Sequence, residues 1–521
     1  MADLAPARLW TDRLEHWAAA QPDAHCVSYQ DQTYTWREWR ERVHRLAGAL
    51  AAAGVRRGDR IATLDMNNLA TVELTNAAAL LGVAHVIVNF RLFGDQLAYV
   101  LADSAPKVLV VGAEFVPNLD AVRPGLTGLE RVVVLGGEDD EFQAWVASSD
   151  PIDADPDVDP EDTVLVMYSS GTTGFPKGVE LSHRAMNAHS EHNNLYFRFE
   201  PGVTSVAAMP LFHVGGTSYI QIGMHWGAST HVLREAAPAA LFGAIAQGAD
   251  RMFLVPAVVA GVLAGGEQAI SAFAGLRCFC YGASPMPLPL LRRALDTWPD
   301  IEFSQVYGMT EFGGVITALG PDNHRDLDHP ERLTSGGRPV EGAEMRVVDP
   351  VTLRDVAPGE TGELWFRTDQ MMTGYLGNPT ATAETITPDG WLRTGDMGRV
   401  DGGGYVYILD RIKDMIVSGG ENVYGPEVEN VIAAHPQVAE VAVFGVPHPV
   451  WVEAVHAVVA PRPGEVIDPE EVIAFTRERL AHYKCPKTLE VVDALPRNPS
   501  GKILKRDLRA PYWVEQGSVG A

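Results

Sequence analysis

Residues Tyr168–Gly178, with the sequence YSSGTTGFPKG, are the most informative stretch of the chain for its fold and site. Glycines let backbone N–H groups approach an anion closely, hydroxyl groups donate further hydrogen bonds, and lysine supplies a positive charge. The stretch follows Thr163–Met167, a β-branched run that predicts a buried strand. A strand that enters a glycine-rich turn is typical of a phosphate site in an α/β protein.

The spacing within this stretch disfavours the usual P-loop of kinases and ATPases. That loop has lysine directly after glycine, whereas Pro176 precedes Lys177 here and Gly178 follows it. Taken alone, the stretch also fits a flexible surface loop of Ser, Thr and Gly. Other segments are needed to decide between a phosphate site and such a loop.

Composition indicates a globular protein with room for several domains. The chain has 521 residues, 46% hydrophobic and 21% charged. Its net charge of −26, without a basic block, disfavours nucleic acid and anionic membranes as partners. The best apolar run, Ala77–Phe90, is too short to predict a transmembrane segment. No secretory signal is visible, and we expect a cytoplasmic protein.

Cysteine usage agrees with a reducing compartment. The chain has four cysteines, too few for a disulfide framework at this length. Cys278 and Cys280 have the wrong spacing for a zinc or thioredoxin-type pair, so we expect buried thiols in a strand.

Helix and strand patterns alternate through the first part of the chain. Thr35 and Glu38 have the spacing of a capping box before a helix that Gly54 should end. Strands are predicted at Arg60–Leu64 and Val83–Val88, with a helix between them. This βα alternation continues to about residue 330 and predicts stacked, mainly parallel sheets with helices on their faces.

The pattern of predicted helices and strands changes twice in the last third of the chain. Glycine-rich turns between short strands predict a small antiparallel β subdomain at about 336–410. After Arg411, helices are predicted from Pro426 and from Asp468 to about Tyr483, with strands between them. The predicted fold class is therefore α/β, with a large N-terminal domain, this β subdomain and a small α+β C-terminal domain.

Two kinds of acidic segment could complete a nucleotide site. Tyr307–Glu311 places a hydroxyl and a carboxylate together after a strand, and Mg²⁺ prefers one or two carboxylates plus phosphate oxygens. Thr394–Asp396 and Asp410–Asp414 supply aspartates that can accept hydrogen bonds from ribose hydroxyls. Taken singly, the first also fits a strand-end turn, and the others fit surface ion pairs.

Two glycine-containing segments lie further toward the C-terminus. Ser418–Asn422 is a sharp turn that enters the C-terminal domain. Pro496–Ile503 holds Lys502 in a Pro/Gly loop, from which its amine could reach a reacting carboxylate. Alone, the first is simply a turn and the second a solvated lysine.

Together these segments resemble the adenylate-forming superfamily, specifically the acyl-CoA synthetases (fatty-acid–CoA ligases). The resemblance covers nearly the whole chain, and its six motifs occur in the family's order. They are Tyr168–Gly178, Tyr307–Glu311, Gly390–Asp396, Asp410–Ile416, Ser418–Asn422 and Pro499–Leu504.

The resemblance implies a two-step reaction. A carboxylic acid is activated with Mg·ATP to an acyl-AMP, pyrophosphate leaves, and the acyl group passes to coenzyme A. ATP, Mg²⁺, coenzyme A and the small acid are thus the expected cofactors and partners. The oligomeric state stays open, with a homodimer as one candidate.

The resemblance also implies the site residues. In the ATP and AMP site, threonines and lysine would hold phosphates, the aspartate and arginine would hold ribose, and residues 282–284 with Tyr307 would flank adenine. This set is Ser170, Thr172, Thr173, Lys177, Gly282, Ala283, Ser284, Tyr307, Gly308, Thr310, Asp396 and Arg411. The catalytic set is Lys502, His213, Thr310 and Glu311, with Glu311 as the Mg²⁺ ligand.

A rotation of the C-terminal domain is implied between the two steps. The core would comprise residues 1–412 and the mobile domain residues 413–521, with Lys413 as the hinge. Lys502 would bridge the acyl carboxylate and the α-phosphate in the first step. Rotation would then bring in Ser418, Gly419 and Gly420, which would line the path of coenzyme A.

The acid itself is less constrained. The acyl pocket implied by the resemblance comprises His213, Val214, Gly215, Gly216 and Met309. His213 would lie near the carboxylate, although a packed core histidine is the alternative, and the glycines suggest room for a bulky group. An amino acid is disfavoured because the aspartate that would anchor its amino group is missing.

A medium- or long-chain fatty acid is the expected substrate, with aryl acids such as cinnamates close behind. Three alternatives to an acyl-CoA synthetase stay open. They are transfer to a carrier protein, a luciferase-like oxygenation, and a non-catalytic nucleotide-binding homologue.

Overall fold

The computed structural model describes residue 4 and residues 6–138, 140–169, 176–284, 286–497 and 503–514. In these ranges, no helix has the length and apolar character that crossing a bilayer requires. The helices are α1 (Asp12–Ala20), α2 (Trp36–Ala52), α3 (Leu69–Leu80), α4 (Gly94–Ser104), α5 (Val116–Val122), α6 (Glu141–Ala147), α7 (His183–Phe197), α8 (Val214–His225), α9 (Pro238–Ala246), α10 (Pro256–Ala264), α11 (Gly266–Phe273), α12 (Leu288–Thr297), α13 (Pro321–His324), α14 (Pro379–Thr385), α15 (Gly425–Ile432), α16 (Pro469–Arg477) and α17 (Lys505–Val514).

The strands fall into four sheets. In chain order they are β1 (His25–Tyr29), β2 (Gln32–Thr35), β3 (Arg60–Leu64), β4 (Ala84–Val88), β5 (Val108–Gly112), β6 (Arg131–Leu135), β7 (Thr163–Ser169), β8 (Lys177–Ser182), β9 (Thr204–Ala207), β10 (Ser229–Val232), β11 (Arg251–Leu254), β12 (Cys278–Gly282), β13 (Glu302–Met309), β14 (Gly314–Leu319), β15 (Arg338–Pro339), β16 (Glu344–Val348), β17 (Gly362–Arg367), β18 (Gly374–Tyr375), β19 (Leu392–Val400), β20 (Val406–Arg411), β21 (Ile416–Ser418), β22 (Glu421–Val423), β23 (Val438–His448), β24 (Val452–Pro461) and β25 (Thr488–Val491).

Two large sheets build the N-terminal part, as the βα alternation predicts. One has the order β15-β14-β13-β12-β11-β9-β10-β1-β2 and the other β18-β8-β7-β4-β3-β5-β6. Pairs are parallel from β13 through β1 in the first sheet and from β7 through β6 in the second. They are antiparallel at both ends of the first sheet and at the β18 end of the second. The α/β prediction of stacked, mainly parallel sheets is confirmed.

Helices α3, α7 and α8 lie between the two large sheets. Each contacts strands of one or both sheets, and α3 and α8 are buried over their whole length. A helix that is buried on every side must be covered by other elements on both faces, as these two are. The N-terminus of α2 has the predicted capping box, in which Thr35 and Glu38 exchange hydrogen bonds.

A small antiparallel sheet follows in the order β16-β17-β19-β20, between Glu344 and Arg411. The interval predicted for this subdomain also holds β15 and β18, which pair with the two large sheets instead. The pairing of β18 with β8 places Tyr375 beside the strand that Lys177 begins.

The C-terminal part is α+β, as predicted. Its strands have the order β22-β21-β24-β23, with β25 beside β24. Helix α16 is capped by Asp468 as expected but ends at Arg477, short of the predicted end near Tyr483. Ala481 is extended, and Lys484 after it pairs with Glu427 of α15 at 2.7 Å, so the chain turns back toward that helix.

Candidate active site

The ribose-binding candidates form one cluster at the start of the β19–β20 pair. Asp396 and Arg411 are direct cross-strand partners, and their Oδ1 and Nε atoms are 2.6 Å apart. The Tyr307 hydroxyl donates to Oδ2 of Asp396 at 2.5 Å. The structure thus brings together three residues that are up to 104 positions apart in the sequence. The buried carboxylate is held by one charged and one neutral donor.

The glycines around Tyr307 are explained by close backbone packing. A Cβ at Gly308 would lie 1.8 Å from the carbonyl oxygen of Gly314, and one at Gly282 would lie 2.4 Å from that of Val306. Ala283, next to Gly282, has a left-handed φ of 62°, which is uncommon for a residue with a side chain. These positions shape the carboxyl ends of β12 and β13, where ligands bind in open α/β sheets.

A second cluster joins the two large sheets through Tyr375. Its hydroxyl donates to Oε1 of Glu311 at 2.8 Å, and the Nζ atom of Lys177 lies 4.8 Å from its ring centroid. Lys177 begins β8, Glu311 follows β13, and Tyr375 lies in β18 beside β8. Sequence reasoning missed Tyr375, because its position depends on this distant strand pairing and no local motif marks it.

The two clusters are close enough to interact electrostatically. Burial raises the pKa of the Glu311 carboxyl, while the Tyr375 hydrogen bond and the charges of Arg411 and Lys177 oppose this shift. A cation near Glu311 would relieve the cost of burying its charge. One carboxylate near Lys177, the candidate phosphate-binding lysine, fits Mg²⁺ that arrives with ATP and takes its remaining ligands from phosphate oxygens and water.

His213 occupies the N-cap position of α8. Its Nδ1 atom accepts a hydrogen bond from the Gly215 amide at 3.1 Å, and the residue is half-buried. Neither glycine leaves room for a side chain of its own. A Cβ at Gly215 would lie 3.0 Å from Cε1 of Phe253, and one at Gly216 would lie 2.4 Å from the Pro210 carbonyl oxygen.

The remaining acyl-pocket and nucleotide candidates lie at the same end of the sheet. Val214 is buried in the first turn of α8, and Met309 ends β13 half-buried. Thr310 begins the short 3₁₀ turn that carries Glu311, and Ser284 lies two residues beyond the end of β12.

The hinge and coenzyme A candidates follow β20. Lys413 is exposed. Asp410, which lies three residues earlier in β20, accepts a hydrogen bond from the Gly425 amide at 2.9 Å. Gly419 and Gly420 have φ values of 64° and 88° and form the two-residue turn between β21 and β22. Two positive φ angles favour glycine at both positions of such a hairpin turn.

Trp451 lies beside this hairpin and was not anticipated. Its carbonyl oxygen accepts from the Gly419 amide at 2.9 Å, its ring stacks on His448, and Lys487 Nζ lies 5.2 Å from it. Val450 and Val452 on either side are exposed. The hairpin thus borders a surface that carries an aromatic ring and a positive charge.

Four predicted residues lie outside the described ranges. They are Ser170, Thr172, Thr173 and Lys502.

Comparison with known proteins gives a consistent family. The model of AMP-binding enzymes matches residues 14–376, and that of the AMP-binding enzyme C-terminal domain matches residues 427–502. A fatty acid–[acyl-carrier-protein] ligase, ScoC of Streptomyces coeruleorubidus, is 36% identical over 95% of both chains. A feruloyl-CoA synthase of Amycolatopsis sp is 37% identical over 95% of this chain and 97% of its own.

A solved structure has the same architecture. ATP-bound MatB from Rhodopseudomonas palustris is 28% identical, covers 96% of this chain and 99% of its own, and superposes with a TM-score of 0.88. The chain therefore belongs to the family of AMP-binding enzymes, as an AMP-forming ligase, which confirms the resemblance that its motifs indicate.

Proposed function

We propose that this protein is an acyl-CoA synthetase that activates a carboxylic acid as its acyl-AMP and transfers the acyl group to coenzyme A. The observation that carries the proposal is the pairing of Asp396, Arg411 and Tyr307 next to the Glu311–Tyr375–Lys177 cluster. One cluster offers hydrogen-bond partners for ribose hydroxyls, and the other offers a lysine and a carboxylate for Mg·phosphate.

In the first step, an oxygen of the acid attacks the α-phosphorus and the bond to pyrophosphate breaks. Two anions meet in this step, so catalysis depends on positioning and on neutralising charge. Lys177, with Thr172 and Thr173, would hold the phosphates, and Thr310 would contact the α-phosphate. Lys502 would bridge the two reacting anions, for which a flexible ammonium group is suited.

In the second step, the sulfur of coenzyme A attacks the acyl carbon and AMP leaves. The proposed path lies along Ser418–Gly420, whose exposed glycines approach the Trp451 backbone. The ring of Trp451 and the charge of Lys487 would suit the adenine and phosphate groups of coenzyme A.

A carrier protein is the second candidate acceptor, since the relative ScoC is named for transfer to an acyl-carrier protein. Both acceptors present a phosphopantetheine thiol, so the adenylation site does not distinguish them. Thioester formation should be compared between coenzyme A and a phosphopantetheinylated carrier protein. If the thioester forms faster with the carrier protein, the proposed acceptor would be the carrier protein instead of coenzyme A.

Pyrophosphate release and AMP formation test the proposed function directly. The full chain should be incubated with Mg·ATP and a series of saturated, branched and aryl acids, with and without coenzyme A. We expect acid-dependent pyrophosphate release, and AMP release that accelerates when coenzyme A is present. Absence of pyrophosphate release with every acid would support a non-catalytic nucleotide-binding homologue instead.

Replacement of Lys413 by proline is expected to impair the second step more than the first. Proline fixes its own φ and restricts the preceding residue, so the hinge would lose the rotation that the second step requires. Thioester formation from supplied acyl-AMP should fall by about tenfold or more, because domain closure that completes the site would be blocked.

Lys413→Ala is the matched control, because it removes the exposed side chain but leaves the backbone free. It should retain both half-reactions. An unchanged thioester rate in Lys413→Pro would move the hinge away from this residue.

A further inference from the structure

Four aromatic rings pack together beside α8, the helix that His213 caps. Tyr219 of α8 lies with its ring centroid 5.1 Å from that of Phe199, 5.6 Å from Phe197 and 6.0 Å from Phe253. All four side chains are buried. Phe197 ends α7, and Phe199 follows two residues later. Tyr219 lies in α8 and Phe253 in β11, so the cluster joins both helices to the nine-stranded sheet.

The ring cluster covers the face of the nine-stranded sheet that points toward α7 and α8. Cys278 and Cys280 of β12 direct their Sγ atoms to the carbonyl oxygen of Tyr196 in α7, so this face of β12 points toward the helices. Phe253 is paired in register with Cys280, and both belong to the same buried cluster as Tyr219. A group that entered between α8 and the sheet would therefore meet these rings.

The cluster begins close to the predicted nucleotide site. Gly282 lies two residues beyond Cys280 toward the carboxyl end of β12. At the usual rise of a strand, this separates the levels of Phe253 and Gly282 by about 7 Å. Phe253 also packs against Gly215, only two residues after His213. An acyl group that entered beside Gly215 would therefore meet Phe253 within a short distance of His213.

Resting on the proposed ligase function, we propose that the rings of Tyr219 and Phe253 close the acyl pocket and restrict the enzyme to short aliphatic or single-ring aryl acids. This inference favours the aryl alternative over the medium- or long-chain fatty acid expected from the sequence. Tyr219 is the specificity-determining residue, because it lies on α8, the helix that His213 caps, and its ring contacts the other three rings.

The hydroxyl group of Tyr219 allows ring volume to be tested separately from polarity. It is buried without a hydrogen-bond partner among the described residues. Burial, with Cys280 and Cys278 nearby, raises the pKa of this phenol well above its usual value, so it stays neutral. Tyr219→Phe therefore keeps the ring and removes a group that stabilises nothing, whereas Tyr219→Ala removes the ring itself.

The experiment measures kcat/KM for pyrophosphate release with a series of acids from butyrate to palmitate, together with benzoate and cinnamate. In the unaltered protein, the best short or aryl acid should exceed palmitate by about tenfold or more. Tyr219→Ala should raise the ratio of palmitate to hexanoate by about tenfold, and Tyr219→Phe should leave it unchanged. Phe253→Leu opens the same space with a smaller loss of volume and should shift the ratio in the same direction.

Two results would overturn the closed pocket. One is palmitate turnover equal to that of the best short acid in the unaltered protein, a measurement that does not depend on any variant folding. The other is an unchanged ratio in a folded Tyr219→Ala or Phe253→Leu variant. If none of the acids supported pyrophosphate release, the ligase function on which this inference rests would be overturned instead.

Discussion

Replacement of Lys502 by alanine is expected to abolish acyl-AMP formation while thioester formation from supplied acyl-AMP is largely retained. In the first step the lysine would neutralise the charges of the acyl carboxylate and the α-phosphate as they meet. Loss of one preorganised charge of this kind costs about 10²–10³ in rate. In the second step the rotated domain would carry Lys502 away from the reacting atoms.

The two half-reactions are measured separately, as pyrophosphate release from ATP and as thioester formation from synthetic acyl-AMP. Arg506→Ala is the matched control. Arg506 lies in α17 and its side chain is 84% exposed, so the substitution removes a positive charge without disturbing packing. It should leave both rates within a few-fold of the unaltered protein. Equal loss in both half-reactions of Lys502→Ala would contradict the assigned role.

Local sequence patterns correctly predicted the features that depend on residues close together in the sequence. The capping box at Thr35, the strand before Tyr168 and the buried thiols of Cys278 and Cys280 appear as expected. The motif order also predicted that Asp396 and Arg411 belong to one site, and the β19–β20 register pairs them directly.

The residues that sequence reasoning missed owe their positions to long-range packing. Tyr375 reaches Glu311 only because β18 pairs with β8, nearly 200 positions earlier in the chain. The ring cluster around Tyr219 is assembled from α7, α8 and β11, none of which carries a motif for it. Phe253, which a Cβ at Gly215 would contact, likewise comes from a separate strand.

Replacement of Asp396 by alanine is expected to weaken nucleotide binding and to lower stability at the same time. The carboxylate accepts the Tyr307 hydroxyl and pairs with Arg411, so its loss leaves a buried hydroxyl without this acceptor and removes the counter-charge of Arg411. An unsatisfied buried group costs about 1–3 kcal/mol, which should appear in the free energy of unfolding. Pyrophosphate release should fall by about 10²-fold or more, because ribose would lose its acceptor and Arg411 its fixed orientation.

Asp401→Ala separates these two effects. Asp401 lies in the turn that joins β19 to β20 and accepts from the Gly403 and Tyr405 amides at 2.8 and 2.9 Å, so its removal should also destabilise the sheet. The measurement is the rise in Tm that Mg·ATP produces in each variant. We expect this rise to persist in Asp401→Ala and to vanish in Asp396→Ala, because only Asp396 belongs to the proposed ribose site. An equal rise in both variants would show that Asp396 supports the fold alone, and the nucleotide would then have to be held elsewhere.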